Sequence, residues 1–357
     1  MTKTAKPANP FAEAVEAGAI LLVDKASGWT SHDVVARARR VFGTRKIGHA
    51  GTLDPLATGL LTLGIGPATR LLTHMVGLDK VYTATVRLGQ ATVTDDSEGE
   101  IRAVADPEKA RELAVDPAPI FAAAQQLTGE IAQVPTKVSA IKVAGKRAYD
   151  LVREGAEVEL AARQVTVYSF ELAQPRLAQA EGGEPVLDID VRVRVSSGTY
   201  VRALARDLGE ITGIFGHLTA LRRESVGPFA VADALPNEIL SEQAEAVRAG
   251  GVASPDVVRV FSPAEVAASL FGGIKVSAQQ AQDLAHGKQP AIEAAEAELA
   301  AAIAPCGRLV ALVRVRDGKA RVVTGFPPPA GGFSRESVLE AGCENDGVVQ
   351  GESAARQ

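Results

Sequence analysis

Gly48-His49-Ala50-Gly51-Thr52-Leu53-Asp54-Pro55-Leu56-Ala57-Thr58-Gly59-Leu60-Leu61 gathers a His, an Asp and three Gly into a short span that turns abruptly apolar. That is the pattern of a rigid loop feeding a buried strand, here expected over Thr62–Gly66. Gly48 and Gly51 allow a sharp backbone turn close to a ligand. Pro55 fixes its own φ and pushes Asp54 toward extended backbone, so the carboxylate is aimed by covalent constraints. An Asp-Pro pair is by itself an ordinary turn. What separates this one is its company: Leu53, Leu56, Leu60, Leu61, Leu63 and Ile65 are expected to enclose the acid in apolar surroundings. Asp54 is therefore a candidate nucleophile.

Working back from the loop, Ala19–Asp24 reads as a buried strand and Lys25–Trp29 as the turn leaving it. Ser31 is placed to cap the next helix, with Asp33 in its first turn. Val34, Val35, Ala38, Val41 and Phe42 form the apolar stripe, and Gly43 is the stop. Arg37, Arg39, Arg40, Arg45 and Lys46 remain for the outer face and the loop beyond. Charge runs usually mark solvated faces, but one beside an active loop suits a phosphate backbone.

Working forward, Thr69–Met75 is expected as a short helix, and Lys80–Gly89 alternates as a strand with Tyr82 on the face of Ala84 and Val86. Tyr82 is either a core ring with a satisfied hydroxyl or an aromatic platform for a base. Pro107–Gly129 contains a surface helix. Lys137, Lys142, Lys146 and Arg147 form a second, Gly-bearing basic cluster, followed by a helical turn over Tyr149–Arg153. Leu187–Val195 alternates as a half-buried strand, Ser196–Thr199 turns, and Tyr200–Leu208 enters a helix on which Arg202 and Arg206 share a face. Arg202 either pairs with a surface carboxylate, worth little, or meets Asp54 and holds it in orientation.

The 357 residues, 46% hydrophobic, can bury a sizeable core and suggest two domains. A formal charge of −5 excludes an overall basic nucleic-acid binder while leaving room for local patches. Two cysteines, Cys306 and Cys343, are too far apart in sequence to suggest a zinc site or a disulfide framework, which fits a reducing cytosol. Ala19–Val23 is too short to span a bilayer, and the basic Met1–Pro10 arm leads into no signal-like core. Division of the chain is expected as a flexible arm (1–17), a main domain (18–235), a helical connector (236–270), a small unit (271–327) with a hairpin about Asp317-Gly318, and a disordered tail (328–357).

The Gly48–Leu61 stretch resembles the signature of bacterial TruB-type tRNA pseudouridine synthases. Four more blocks follow in that family's order: Lys80-Val81-Tyr82, Ser139–Lys142 with Gly145–Tyr149, Ser197–Arg202, and His217–Arg223. The resemblance implies an α+β fold with a mixed, mainly antiparallel central sheet and flanking helices, plus a small PUA-like C-terminal domain similar to that of actinobacterial members. It implies that Asp54 is the nucleophile and Arg202 its ion-pair partner. His49 would fill the space left by a flipped nucleotide, Tyr82 stack on the target uracil, and Tyr200 and Leu221 line the pocket. Arg39, Arg40, Lys46 and Lys142 are candidates for the RNA backbone. Pro135-Thr136-Lys137-Val138 departs from relatives that carry an aromatic residue near the serine.

The activity so implied converts the uridine at position 55 of the tRNA T-loop to pseudouridine. The N-glycosidic bond breaks, the base turns, and C5 joins C1′ without redox change or hydrolysis. A carboxylate in a pocket that keeps water from the detached base is enough in principle, with no metal or organic cofactor. Extruding the base costs a few kcal/mol, offset by stacking. The implied partner is the tRNA T-arm stem-loop, with no membrane, no obligate protein partner, a monomeric chain and a cytoplasmic location. Two other readings are an RNA-binding or RNA-folding protein without turnover, and a glycosidase, which would need a second acid paired with Asp54.

Overall fold

In a computed structural model the described residues are 8–136, 160–328 and Phe333, with the backbone alone of Lys142–Val143 and Lys146–Arg147. The chain forms two compact units. One comprises Met1–Phe11, Leu21–Gly64 and Leu71–Val260, the other Ala12–Ile20, Ile65–Arg70 and Phe261–Gln357. The division at Val260 falls within the stretch read as a connector, and two short N-terminal segments join the C-terminal unit. Close backbone packing explains that grouping. A Cβ at Gly66 would come within 2.1 Å of the Val15 carbonyl oxygen, and one at Gly18 within 2.7 Å of the Ala68 nitrogen. Part of the stretch read as an arm is thus the helix α1 (Ala12–Ala17).

The first elements are β1 (Ala19–Lys25), α2 (Ser31–Phe42), β2 (Ile47–His49), β3 (Thr58–Ile65), α3 (Leu72–Val76), β4 (Lys80–Leu88), and the pair β5 (Gln90–Thr92) and β6 (Ile101–Val104). Then come α4 (Pro107–Val115), α5 (Ala118–Gln126), β7 (Gly129–Gln133), and the hairpin β8 (Lys142–Val143) and β9 (Lys146–Arg147). They are followed by β10 (Arg163–Leu172), β11 (Arg176–Gln179), β12 (Pro185–Val195), α6 (Val201–Thr212), β13 (Gly216–Val226), β14 (Phe229–Ala230), β15 (Leu235–Pro236) and α7 (Asn237–Arg248). The main sheet runs β15-β1-β3-β13-β4-β12-β10-β7. The β1–β15 and β3–β13 pairs are parallel, whereas β13–β4, β4–β12, β12–β10 and β10–β7 are antiparallel. This is the mixed, mainly antiparallel α+β sheet expected. Along β4, Tyr82, Ala84, Val86 and Leu88 are buried and alternate with half-exposed Val81, Thr83, Thr85 and Arg87, as a strand's period of two requires.

Some local expectations shift. Thr30, not Ser31, caps α2: its side chain accepts from the Asp33 amide while Asp33 reaches back to the Thr30 amide, forming a capping box. Gly43 closes α2 at φ 63°. β3 begins at Thr58 rather than Thr62, because Thr58 and Gly59 already pair with Arg222 and Arg223 of β13. Thr69–Met75 is divided between a 3₁₀ turn, Gly66–Arg70, and α3. Pro107–Gly129 holds two helices. The turn expected over Tyr149–Arg153 lies outside the described residues, as does almost all of the tail.

Gly59 shows how tightly β3 and β13 approach. Its φ is +99°, and a Cβ there would stand 2.3 Å from the Arg223 carbonyl oxygen and 2.7 Å from its nitrogen. Gly59→Ala is expected to cost about 3 kcal/mol through strain and backbone displacement together. Gly129→Ala, at φ +100° in open space, should cost about 1 kcal/mol. Urea unfolding of both variants checks the difference; equal losses would remove the close approach as its cause.

The second unit adds α8 (Pro263–Phe271), β16 (Gly273–Lys275), α9 (Ala278–Ala285), β17 (Ala297–Ile303), β18 (Leu309–Arg316) and β19 (Lys319–Gly325). Its sheet runs β16-β17-β18-β19 over a core that includes Val276, Leu284, Val310, Val313 and Val315. The β18–β19 turn is at Asp317-Gly318, where both residues take positive φ, 49° and 66°, as a tight hairpin demands.

Candidate active site

The loop between β2 and β3 is held mainly by buried polar side chains that satisfy its backbone. Ser31, released from capping, accepts from the Leu53 amide (2.9 Å) and donates to the Leu53 carbonyl (3.1 Å). Lys25, fully buried, donates through Nζ to the carbonyls of Trp29 (2.7 Å), Ala26 (2.9 Å) and Pro55 (3.2 Å). Arg223, also buried, donates from Nε to Leu60 O (2.7 Å) and from Nη2 to Gly51 O (3.1 Å). Gly51 takes φ +94°, and the Ala57 amide closes back on Asp54 O at 3.1 Å. Asp54 is thereby presented by a backbone with little freedom.

Leu53, Leu60, Leu61, Leu63 and Ile65 are buried and Leu56 is half-exposed, and together they do not enclose the acid as expected. The Asp54 side chain is 41% exposed, and of these residues only Leu53 lines the cavity that Asp54 faces. There it meets Arg202 of α6, with Nη2 3.0 Å from Oδ2. Arg202 is only 7% exposed and is fixed from behind, Nη1 lying 3.2 Å from Asp96 Oδ2 and 2.9 Å from Thr94 O. Asp96, 3% exposed, also accepts from Thr94 Oγ1 (2.5 Å) and the Glu98 amide (3.1 Å). Two carboxylates therefore share one guanidinium, and only Asp54 is open to a ligand.

Asp54 and Arg202 line a cavity of about 310 Å³ with Val76, Lys80, Tyr82, Tyr200, Leu221 and Arg223. Four of the residues singled out from the sequence thus line one chamber with Asp54. Tyr82 is brought by β4, Leu221 by the neighbouring β13, and Tyr200 and Arg202 by the start of α6. Gln133 of β7 grips Tyr200 at both backbone groups, donating from Nε2 to its carbonyl (3.1 Å) and accepting its amide at Oε1 (2.8 Å). Lys80 donates to Val76 O (2.6 Å) and Leu78 O (2.5 Å), and Ser197 Oγ donates to Val76 O (2.7 Å), which fixes the rim. Burial lowers the Lys80 ammonium to about 8.

His49 is half-buried at the end of β2, outside the cavity lining, with its ring 6.1 Å from that of His32 and edge-on to it. Burial, then the neighbouring His32 and Arg223 charges, hold its pKa below the usual imidazole value. On α2, Arg39 donates to Ile47 O (3.3 Å) and Arg40 pairs with Glu245 of α7 (3.3 Å), an exposed contact, while the Lys46 side chain is exposed. The Lys142 side chain lies outside the described residues. Among the described residues no group of His, Cys, Asp and Glu is arranged to hold a metal, and no helix is long and apolar enough to cross a membrane.

Ser31, Lys25, Asp96, Gln133 and Arg223 were not read as site residues from the sequence. The one available signal was the placement of charged Lys25 directly after an apolar strand. Desolvation pushes its ammonium down to about 8, from 10.5 in an exposed chain. Between those values the unfolded chain holds the proton that the folded one has lost, so the Lys25 contribution to stability rises with pH over about 8 to 10.5. The stability of the unsubstituted chain minus that of Lys25→Met is expected to increase between pH 7.5 and 9.5 in urea unfolding. A falling difference would contradict a desolvated cation.

Known proteins resemble this chain over most of its length. Residues 39–201 match the TruB family pseudouridylate synthase N-terminal domain, and residues 271–327 the tRNA pseudouridine synthase II C-terminal domain. The tRNA pseudouridine synthase B of Leifsonia xyli subsp. xyli is 51% identical over 86% of this chain and 96% of its own length. That of Thermobifida fusca is 46% identical over 87% and 99%. Two solved structures share the fold at 21% identity: an H/ACA RNP bound to a substrate RNA containing 2′-deoxyuridine (TM-score 0.63, 92% of this chain and 90% of that one), and the archaeal box H/ACA sRNP Nop10-Cbf5 complex (0.60, 92% and 93%). With both domain matches and relatives of this identity over most of its length, the chain belongs to the TruB family of pseudouridylate synthases, enzymes of the isomerase class.

Proposed function

We propose that this protein isomerises the uridine at position 55 of the tRNA T-loop to pseudouridine, with Asp54 as nucleophile. The observation that carries the reading is the 3.0 Å Asp54–Arg202 ion pair in a cavity that Tyr82 and Tyr200 also line. In this reading the T-loop uridine is flipped into the cavity, its uracil stacks on Tyr82, and Tyr200 and Leu221 bound the pocket. His49 fills the vacated space; a neutral ring, favoured by its lowered pKa, suits that role better than a cation would. Arg202 holds the Asp54 carboxylate toward the reacting ribose and base. Arg39, Arg40, Lys46 and Lys142 contact the RNA backbone, with Arg40 exchanging Glu245 for phosphate at little cost, since an exposed pair is worth about 0–1 kcal/mol. Residues 18–235 act as the catalytic part, 236–270 as connector and 271–327 as RNA-binding part. The protein works as a cytoplasmic monomer with no obligate protein partner.

A glycosidase would need a second carboxylate across the substrate from Asp54. Asp96 is buried behind Arg202 and holds the same guanidinium, and Glu98, which also lies within electrostatic reach of Asp54, does not line the cavity. The test is incubation with an unmodified tRNA transcript carrying tritium at uridine C5. Joining C5 to C1′ releases that label, so tritium release from the intact transcript, and its loss when the T-loop uridine is replaced by cytidine, are expected. Binding without release would favour the RNA-folding alternative instead.

A further inference from the structure

Arg202 and Arg206 stand one turn apart on α6, and each meets one of two consecutive carboxylates. Arg202 Nη1 lies 3.2 Å from Asp96, and Arg206 Nη1 lies 3.3 Å from Asp95 Oδ2. Successive residues of an extended chain point to opposite sides, so two neighbouring aspartates cannot both face one helix without a change of backbone direction. The change occurs at Asp95, which takes φ 60°, a left-handed conformation uncommon for a residue with a side chain. Such a conformation persists only when its surroundings hold it. Here the Leu218 amide donates to Asp95 O (3.0 Å), the Ser97 amide donates to Leu218 O (2.8 Å), and Arg206 takes the Asp95 carboxylate.

Arg206 is itself a fixed post. Its Nε donates to Asp207 Oδ1 (2.9 Å) and its Nη2 to Val134 O (2.7 Å), and its side chain is 14% exposed. We propose that Arg206, through its ion pair with Asp95, is a positioning residue that keeps the Thr94–Asp96 turn against Arg202 and thereby sets the guanidinium at Asp54. The inference rests on the reading of Asp54 and Arg202 as the reacting pair. Burial raises the Asp95 pKa and Arg206 opposes that rise, so loss of Arg206 favours a protonated side chain free to leave its left-handed turn. Asp96 and the Thr94 carbonyl, both bonded to Arg202, would move with it.

A double-mutant cycle with Asp96→Asn separates positioning from general support of the fold. The readout is the single-turnover rate of tritium release with enzyme in excess, alongside tRNA affinity by filter binding. Arg206→Met is expected to slow release roughly tenfold or more in the unsubstituted background, with tRNA affinity within about twofold. In the Asp96→Asn background, where Arg202 has already lost its ion pair with the turn, it should slow release by less than about twofold. Asp95→Asn, which nearly preserves volume and serves should Arg206→Met not fold, is expected to behave the same way. Equal slowing in both backgrounds, or an unchanged rate, overturns the proposal. Absence of release by the unsubstituted protein would overturn the pseudouridine reading itself, whereas release with additive effects overturns only the positioning role.

Discussion

Asp54→Asn is expected to abolish tritium release, by at least about 10⁴-fold in single-turnover rate, while tRNA binding persists. The amide nearly preserves the volume of the side chain and its contact with the cavity, but it removes the carboxylate proposed as nucleophile. Stability should change by no more than about 0.5 kcal/mol, because the carboxylate is 41% exposed and Arg202 retains Asp96 and the Thr94 carbonyl as partners. The measurement pairs the release assay with filter binding and urea unfolding. Turnover within tenfold of the unsubstituted protein would end the nucleophile assignment, and a lost transition would show that the loop depends on this ion pair for folding.

Arg202→Met separates the same pair from the other side and carries a different signature. Catalysis should fall by about 10²-fold or more, since the guanidinium that orients Asp54 is gone, with a smaller loss of tRNA affinity. Unlike Asp54→Asn, it should also destabilise the fold by about 3 kcal/mol, because Asp96 is 3% exposed and loses its buried cation. Adding Asp96→Asn to Arg202→Met is expected to restore part of that stability without restoring the rate. An unchanged single-turnover rate in Arg202→Met would count against the ion pair, and an unchanged midpoint would count against a charged, buried Asp96.

The loop, the buried ring of Tyr82 and the candidate cation are all legible because each sits in a short pattern with a local cause. Alternation placed Tyr82 with Ala84 and Val86 on the buried face of β4. The positive φ values at Gly51 and Asp317-Gly318 follow from residue types that tolerate or favour such turns. Thr30 rather than Ser31 is the cap, a choice residue type alone leaves open because both hydroxyls are chemically equivalent caps. What separates them is Asp33, which completes the capping box with Thr30, and the Leu53 backbone, which lies against Ser31. Of the leucines in the Asp54 stretch, Leu53, Leu60 and Leu61 are buried and Leu56 is half-exposed, and burial of neighbours does not specify which way an intervening carboxylate points.

By itself the sequence determined most strands of the main sheet, the aimed backbone at Asp54-Pro55 and the buried face on which Tyr82 lies. These depend on φ restrictions, caps and periodicity, which operate over a few residues. The tertiary structure decided that Asp54 meets Arg202, that Asp96 stands behind it, and that Lys25, Ser31 and Arg223 hold the loop. Those outcomes depend on which carbonyls and carboxylates the β4–β13 register and the packing of α6 bring within about 3 Å, the range of a hydrogen bond. A buried charge is tolerated only where such partners converge, and convergence is a property of the folded chain.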